Sequence, residues 1–303
     1  MLYPNFNELM QLKNKVSNLK LPSHALIKSI ISGGYSSPFK GHGLEFQEVR
    51  RYVPGDDIRK IDWRVTARTD IPHIKLFTEE KERTVLIIVD MNESMRFGTR
   101  GTFKSIIAAK CAALLGWCAN QNSNLVGGCL FGDIKGSMEF FYPKRRRSSL
   151  FRMFKLLCEE PVHTNQVSLA EAIKYVTKLA PASSLVFIIS DFIEVDNELK
   201  QQLRYLGASY EVNLISINDP ADKEISPVGN ILFSFASTQR LYIDTGNESG
   251  RDAYQKQWEE RNQALKNMAT GLKMNLINLQ TNRDIYLDLF YGLGNSTRYS
   301  GRK

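Results

Sequence analysis

From residue 84 onward, short apolar runs alternate with longer segments whose apolar residues recur at helical spacing. Thr84 to Asp90 and Ser184 to Phe192 are mostly apolar at both odd and even positions, which is typical of strands buried on both faces of a sheet. Thr102 to Asn120 and Ser168 to Leu179 have helical spacing, and the second begins with a capping box completed by Glu171. This order predicts an α/β fold with a mostly parallel sheet flanked by helices.

Two pairs of shorter segments predict antiparallel hairpins at the edges of this sheet. Leu125 to Phe131 is joined by a glycine-containing turn to Ser137 to Tyr142, and Ile231 to Phe235 precedes Arg240 to Asp244. The remaining predicted elements are helices over Arg147 to Cys158, Glu198 to Leu206 with Gly207 as its end, Asp252 to Met268 and Arg283 to Leu293, and strands over Tyr210 to Asn218 and Met274 to Leu279.

Residues 1–83 have a different pattern. Phe6 to Lys20 and Leu21 to Ile31 have helical spacing, and a break rich in Gly and Ser separates them from a segment of alternating residues and turn signals. The sequence therefore predicts a helical and β-rich N-terminal appendage over residues 1–83 and a sheet domain over residues 84–303.

Charged residues of alternating sign surround a predicted turn at Pro54 and Gly55. They are Asp56, Asp57, Arg59, Asp62, Arg64 and Arg68. Because exposed charges alone neither perturb a pKa nor position a nucleophile, the pattern favours an ion-pair network that ties the appendage to the sheet. Trp63 lies within this segment and is expected to be buried at the junction.

The composition excludes several classes of protein. The 303 residues are 43% hydrophobic and 24% charged, unlike fibrous, collagen-like or wholly disordered chains. No run approaches the roughly 18 apolar residues of a membrane span, and the first residues lack the apolar core of a secretory signal, so a cytoplasmic protein is expected. The four cysteines match no redox or zinc spacing and predict reduced, packed thiols.

The net charge of +8, from 40 Lys and Arg against 32 Asp and Glu, is spread along the chain. Its densest run is Lys144 to Arg147, followed by Arg152 and Lys155. Two interpretations stay open, a solvated helix start and a nucleic-acid-binding segment over residues 144–155. No aromatic platform or helix-turn-helix pattern accompanies the charge, which favours the first interpretation.

Two predicted strands end in aspartate. Asp90 is followed at alternate positions by Asn92 and Ser94, and Asp191 ends the strand that begins at Ser184. Because open α/β sheets bind ligands beyond the carboxyl ends of their strands, these side-chain oxygens can converge on a hard cation such as Mg²⁺. The alternative is local, with each carboxylate accepting backbone hydrogen bonds in its own loop.

No catalytic constellation emerges from the linear sequence. The four histidines are scattered, and the chain has neither a Gly-rich phosphate loop nor a GxSxG elbow. A phosphoaspartate hydrolase has a second Asp where this chain has Asn92. The sequence therefore predicts a non-enzymatic protein, and a metal-dependent hydrolase with a dispersed site stays open as an alternative.

Two motifs resemble known families. Asp90-x-Asn92-x-Ser94 resembles the Asp-x-Ser-x-Ser motif of von Willebrand factor A domains. The more specific signature, similar to bacterial domain-of-unknown-function family fifty-eight, reads GHGLEF at 41–46, RRYVPGDDIRKIDW at 50–63 and AR at 67–68. The resemblance implies a von Willebrand A-like, Rossmannoid sheet. It also implies an adaptor or substrate-presenting partner of a MoxR-type AAA ATPase that acts on a client protein in complex maturation or metal insertion.

In von Willebrand A domains the short motif belongs to a metal-ion-dependent adhesion site that a Thr and a second Asp complete. The resemblance thus implies Mg²⁺ or Mn²⁺ at a site built from Asp90, Asn92, Ser94, Asp191 and a threonine. An ungapped comparison places Val167 at the Thr position, and Thr164, three residues earlier, is the remaining candidate. These departures leave two possibilities, a degenerate site and a site that an acidic side chain of the partner completes.

Overall fold

The chain folds into two compact units. The computed structural model describes residues 3–22, 44–56, 58–79, 83–99, 101–162, 166–235 and 239–299. The first unit comprises Met1–Ile27 and Arg83–Lys303, and the second comprises Lys28–Glu82. The first residues therefore group with the sheet and not with an appendage over 1–83, because Leu9, Val16 and Leu19 are buried in the hydrophobic core of the first unit.

Nine helices and ten strands are assigned within the described ranges. In chain order they are α1 (Phe6–Gln11), β1 (Leu44–Arg51), α2 (Trp63–Thr69), β2 (His73–Glu79), β3 (Thr84–Met91), α3 (Lys104–Gln121), β4 (Leu125–Gly132), β5 (Met138–Lys144), α4 (Ser148–Leu157), α5 (Leu169–Leu179), β6 (Leu185–Ser190), α6 (Asn197–Ser209), β7 (Glu211–Asn218), α7 (Pro220–Lys223), β8 (Asn230–Phe235), β9 (Gln239–Asp244), α8 (Glu248–Gly271), β10 (Asn275–Gln280) and α9 (Ile285–Tyr299). Short 3₁₀ turns cover Leu12–Lys15, Ile58–Lys60 and Glu93–Arg96.

The first unit is a three-layer sandwich around a six-stranded sheet of order β10-β7-β6-β3-β4-β5. Only β5, at the edge, runs antiparallel to its neighbour within this sheet. Val85 and Ile87 of β3 pack with α1, α3, α4 and α9 on one face. Leu86 and Ile88 pack with α5, α6 and α8 on the other. The predicted mostly parallel sheet flanked by helices is confirmed.

The sheet has a topological switch point between β3 and β6. These two strands are parallel neighbours, yet α3, which follows β3, and α6, which follows β6, lie on opposite faces of the sheet. A crevice forms where connections diverge in this way, beyond the carboxyl ends of the two strands. Asp90 and Asp191 stand at this crevice, so the topology positions the candidate site.

The structure confirms some of the local predictions and differs from others. The β4–β5 edge hairpin and the capping box of Ser168 and Glu171 are confirmed. The second hairpin is real, but β8 and β9 pair only with each other and not with the edge of the main sheet. Gly207 does not end its helix, which continues to Ser209. A Cβ atom at Gly207 would lie 2.8 Å from Met274 Cε, so the end of the methionine side chain packs against the glycine.

The second unit contains an antiparallel pair, β1 and β2, and the short helix α2. Its clearest ion pair joins Arg50 to Asp56 through two hydrogen bonds of 2.7 and 2.9 Å, and Arg50 lowers the pKa of Asp56. Asp62 caps α2 through its side chain. The expected burial of Trp63 is wrong, because it opens α2 with 69% of its side chain exposed. Asp57 and most of the predicted helix over Leu21 to Ile31 lie outside the described residues.

Two negative findings concern the described ranges alone. No helix in them is both long and apolar enough to cross a membrane. All four cysteines are free, and three of them are buried. The prediction of reduced, packed thiols is confirmed for Cys111, Cys118 and Cys129, while Cys158 is half-buried.

Close approach of β3 and β4 depends on Gly128. A Cβ atom at this position would lie 2.0 Å from the carbonyl oxygen of Ile87, a backbone atom that cannot move aside without disturbing the sheet. We expect Gly128→Ala to lower the free energy of unfolding by about 2 kcal/mol or more, measured by urea denaturation. Gly271→Ala is the matched control, because its Cβ would meet nothing within 4 Å. An equal loss in both variants would contradict the packing argument.

Candidate functional site

Asp90 links the ends of β3 and β6 from a buried position. One carboxylate oxygen accepts hydrogen bonds from the backbone N–H and from the side-chain Nδ2 of Asn92, both at 2.9 Å. The other accepts from Ser190 Oγ at 2.6 Å. The local interpretation of the sequence, a carboxylate that accepts hydrogen bonds in its own loop, therefore describes part of what Asp90 does.

Asn92 turns its amide nitrogen, and not its oxygen, toward Asp90. The same Nδ2 donates to the carbonyl oxygen of Val167 at 3.0 Å. Because both contacts are acceptors, the orientation of the amide is fixed by them. Its Oδ1 is buried without a hydrogen-bond donor among the described residues. The side chain thus ties three loops together but presents no oxygen to the point that Asp90 faces.

Asp191 forms a buried ion pair with Lys104, a residue that the sequence interpretation missed. Lys104 Nζ lies 2.8 Å from Asp191 Oδ2 and 3.5 Å from Asp222 Oδ2. The lysine is 2% exposed and Asp191 is 6% exposed. The ring of Phe97 lies 5.7 Å from the ammonium group. A cation supplied by the chain itself therefore occupies the position next to Asp191.

A further aspartate closes the same edge of the sheet. Asp219 accepts hydrogen bonds from Thr281 Oγ1 at 2.5 Å, from Thr99 Oγ1 and from the backbone N–H groups of Thr99 and Ala221. Burial alone would raise the pKa of Asp219, but these hydrogen bonds outweigh it and lower the pKa. Asp219 stays ionised and fastens the loop after β3 to the loops after β7 and β10.

Burial sets the charge state of the other carboxyl groups. It raises the pKa of Asp90 to about 7, and the negative charge of Asp191 adds to the effect, against the hydrogen bonds from Ser190 and Asn92. Burial also raises the pKa of Asp222, although the Lys104 ammonium opposes the change. Hydrogen bonds to Asp90 and the Lys104 ammonium beside Asp222 therefore oppose the effect of burial on these carboxyl groups.

Two of the predicted ligands, Ser94 and Thr164, are not seen in contact with Asp90 or Asp191 among the described residues. Ser94 lies half-buried in the 3₁₀ turn Glu93–Arg96, and its hydroxyl has no hydrogen-bond partner within the described ranges. Thr164 lies outside the described residues. The structure thus brings together Asp90, Asn92 and Ser190 on one side and Asp191, Lys104 and Asp222 on the other.

The residues present do not fit Mg²⁺ or Mn²⁺, the ions that the sequence predicted for this place. The Lys104 ammonium would repel a second cation at Asp191. Both oxygens of Asp90 accept hydrogen bonds, and Asn92 offers a donor where a ligand oxygen is needed. Across the described ranges, no three His, Cys, Asp or Glu side chains are placed to hold a metal ion.

A sequence signal for Lys104 did exist. Lysine is almost never fully buried without a partner, and Lys104 opens a helix that is otherwise apolar on nearly every side. The first turn of a helix also disfavours a positive charge, because the helix dipole is positive there. A lysine at that position therefore required a nearby carboxylate, which the sequence alone could not identify as Asp191.

The basic run after β5 is partly engaged within the protein. Arg147 lies with its guanidinium 5.8 Å from the Trp117 ring and donates to Asn120 Oδ1. Arg152 pairs with Glu139 at 2.6 Å. Helix α4 begins directly after Arg147, at Ser148. The arrangement agrees with a helix start whose cations stabilise neighbouring elements.

We expect Asp90→Asn to become more stable relative to the wild type as the pH rises. Because the pKa of Asp90 is raised to about 7 in the folded state, the folded protein binds more protons than the unfolded chain between about pH 4 and 7, and its stability falls over that window as pH increases. The neutral amide lacks this dependence. The difference in free energy of unfolding should grow by about 2 kcal/mol between about pH 5 and 8.

Urea denaturation in the presence of EDTA at both pH values measures this difference. Asp252→Asn, an exposed change on α8, is the control and should follow the wild type at each pH. A constant offset between Asp90→Asn and the wild type would show that Asp90 has an ordinary pKa.

Two mycobacterial proteins are similar over most of the chain. Uncharacterized protein Rv1480 of Mycobacterium tuberculosis (strain ATCC 25618 / H37Rv) and Uncharacterized protein Mb1516 of Mycobacterium bovis are each 26% identical over 272 residues. The similarity covers 89% of this chain and 85% of each relative.

Solved structures give weaker likenesses. The conserved hypothetical protein BatB from Bacteroides thetaiotaomicron has a TM-score of 0.41 at 10% identity, covering 71% of this chain and 99% of that chain. A von Willebrand factor type A protein from Catenulispora acidiphila has a TM-score of 0.40 at 11% identity, covering 76% of this chain and 45% of that chain.

The family match is more extensive. Residues 48–264 match the family described as "Protein of unknown function DUF58", which is more than half of the 303 residues. The match includes the signature at 50–68, the residues Asp90, Lys104 and Asp191, and every strand of the six-stranded sheet except β10. The chain therefore belongs to the DUF58 family, as its signature predicted.

Proposed function

We propose that this protein is a non-enzymatic protein-interaction module of the cytoplasm. In this proposal it acts as an adaptor or substrate-presenting partner of a MoxR-type AAA ATPase, in the maturation of a protein complex or in metal insertion into a client protein. Membership of the DUF58 family supports a MoxR-type ATPase as the partner, because resemblance to this family implies that association.

The single observation that carries the non-enzymatic part is the internal pairing of the polar groups at the switch point. Asp90 is held by Asn92 and Ser190, and Asp191 is held by Lys104. A general base or nucleophile must be within hydrogen-bond reach of a substrate. Here the buried carboxylates face donors from neighbouring loops, which is the arrangement of a structural support.

Two pockets of the described residues have other linings. One is lined by residues that include Arg96, Asp133 and Val162, and another lies between α6 and α8. Neither is lined by Asp90, Asp191 or Lys104. The paired carboxylates therefore support the loops at this edge of the sheet, and we place the partner's contact on the outer surface of those loops.

Glu93 is suited to test that contact. It is exposed and begins the 3₁₀ turn directly after Asn92, and it takes no part in the hydrogen bonds of Asp90 or in the ion pair of Asp191. We expect Glu93→Lys to weaken capture of the MoxR-type ATPase by about tenfold, because charge reversal at an interface opposes docking. The measurement is affinity capture of the purified ATPase from the same genome, with ATP and with ADP.

Glu260→Lys is the matched control, since it makes the same charge change at an exposed position of α8 on one face of the sheet. It should capture the ATPase as the wild type does. No capture by the wild type in either nucleotide state would contradict the partnership. Equal loss in both variants would place the contact elsewhere.

A further inference from the structure

Lys104 is the most unusual charged residue of the described sheet unit. It is 2% exposed, although lysine loses favourable hydration when it is buried. It is also the first residue of α3, whose N-cap residue, Phe103, makes no side-chain capping bond and whose first turn contains no acidic residue. The helix dipole therefore disfavours a cation at this position. The negative charge that stabilises the lysine must come from outside the helix.

That compensation comes from the carboxyl edge of the sheet. Asp191 follows β6 directly, and its Oδ2 lies 2.8 Å from the ammonium group. Asp222, in α7 after β7, approaches to 3.5 Å. A charge-assisted bond of this length in a buried setting is strong, and removing either partner would leave the other as an unpaired buried charge. The lysine thus joins α3 to the loops after two strands.

We propose that Lys104 is a built-in replacement for the divalent cation of the adhesion site, so that this edge of the protein is assembled without any metal ion. Its ammonium neutralises Asp191, the residue that the resemblance assigned to the metal. The replacement differs from a metal in one respect. It is covalently attached, so neither chelators nor changes in Mg²⁺ concentration can remove it.

The orientation of Asn92 supports this inference independently. A cation between Asp90 and Asn92 would attract the amide oxygen, yet the nitrogen lies there and donates to Asp90 and to Val167. Both carboxylate oxygens of Asp90 thus accept hydrogen bonds from the chain's own donors. Asp90 and Asp191 are thus stabilised by two different sets of donors.

The experiment compares thermal unfolding in EDTA, millimolar Mg²⁺ and millimolar Mn²⁺, with calorimetric titration of Mn²⁺ alongside. We expect the wild type to show the same Tm in all three and no heat of Mn²⁺ binding. Lys104→Ala removes the ammonium and leaves Asp191 and Asp222 without a cation. It should have a lower Tm in EDTA and recover about 3 °C or more in Mn²⁺.

Lys110→Ala is the matched control in the same helix, because Lys110 pairs with Glu8 at a half-exposed position. It should show no response to Mn²⁺. The inference is overturned if the wild type binds Mn²⁺ and Asp191→Asn abolishes that binding. It is also overturned if Lys104→Ala folds and gains no stability from Mn²⁺.

A second pair of variants covers the case in which Lys104→Ala does not fold. Lys104→Met leaves Asp191 unpaired, and the double change Lys104→Met with Asp191→Asn removes both charges. The double variant should be the more stable of the two, because no uncompensated charge remains buried. A double variant no more stable than Lys104→Met would contradict the pairing.

This inference deepens the proposed function. It rests on that function only for the idea that this edge of the sheet serves a protein contact. Capture of the ATPase in EDTA supports both. Binding of Mn²⁺ by the wild type that Asp191→Asn abolishes overturns the inference and leaves the interaction module standing, whereas a Mg²⁺ requirement for capture is also expected from nucleotide binding by the ATPase. Failure of capture in every buffer overturns the partnership, and the Mn²⁺ titration still decides the role of Lys104.

Discussion

The carboxyl edge of the sheet depends on one buried ion pair. Taking a carboxylate out of water costs several kcal/mol, and Asp191 is buried because Lys104 is buried with it at 2.8 Å. The lysine in turn fixes the start of α3, the helix that covers one face of the sheet. A contact between two side chains thus sets where a long helix begins and where the loop after β6 lies.

The same edge shows how a fold can be kept while its chemistry changes. The switch point between β3 and β6 gathers polar groups because two chain connections diverge there, whatever those groups are. In this chain Asn92 and Ser190 complete Asp90, and Thr99 and Thr281 complete Asp219. Hydrogen-bond donors of the chain thus stabilise both carboxylates.

The hydrophobic pattern was sufficient to predict the layers of the fold. Strands β3 and β6 are apolar on both parities because helices cover both of their faces, and that pattern is legible in the sequence. Residues whose type is compatible with two structural roles were harder to predict. Gly207 was expected to end a helix and instead makes room for Met274. Trp63 was expected in the interior, but it begins a short exposed helix.

Only part of the candidate site could be predicted from the sequence. Asp90 and Asp191 could be placed at one edge because strand ends converge there, but the partner of Asp191 comes from the start of a helix that sequence spacing does not relate to it. The sequence identifies charged groups that need a partner of opposite charge when they are buried. It does not identify that partner. The grouping of residues 3–22 with the sheet was hidden for the same reason, since bonds such as that from Trp117 Nε1 to the carbonyl of Leu9 span more than a hundred positions.

The position of Arg83 has a consequence for how this protein can vary. Its guanidinium donates to the carbonyl oxygen of Pro22 and pairs with Glu211 at the start of β7. Pro22 and Arg83, which precede and follow the second unit in the sequence, are therefore held next to each other within the first unit. A change of chain length between these two residues therefore need not shift the register of any strand of the main sheet.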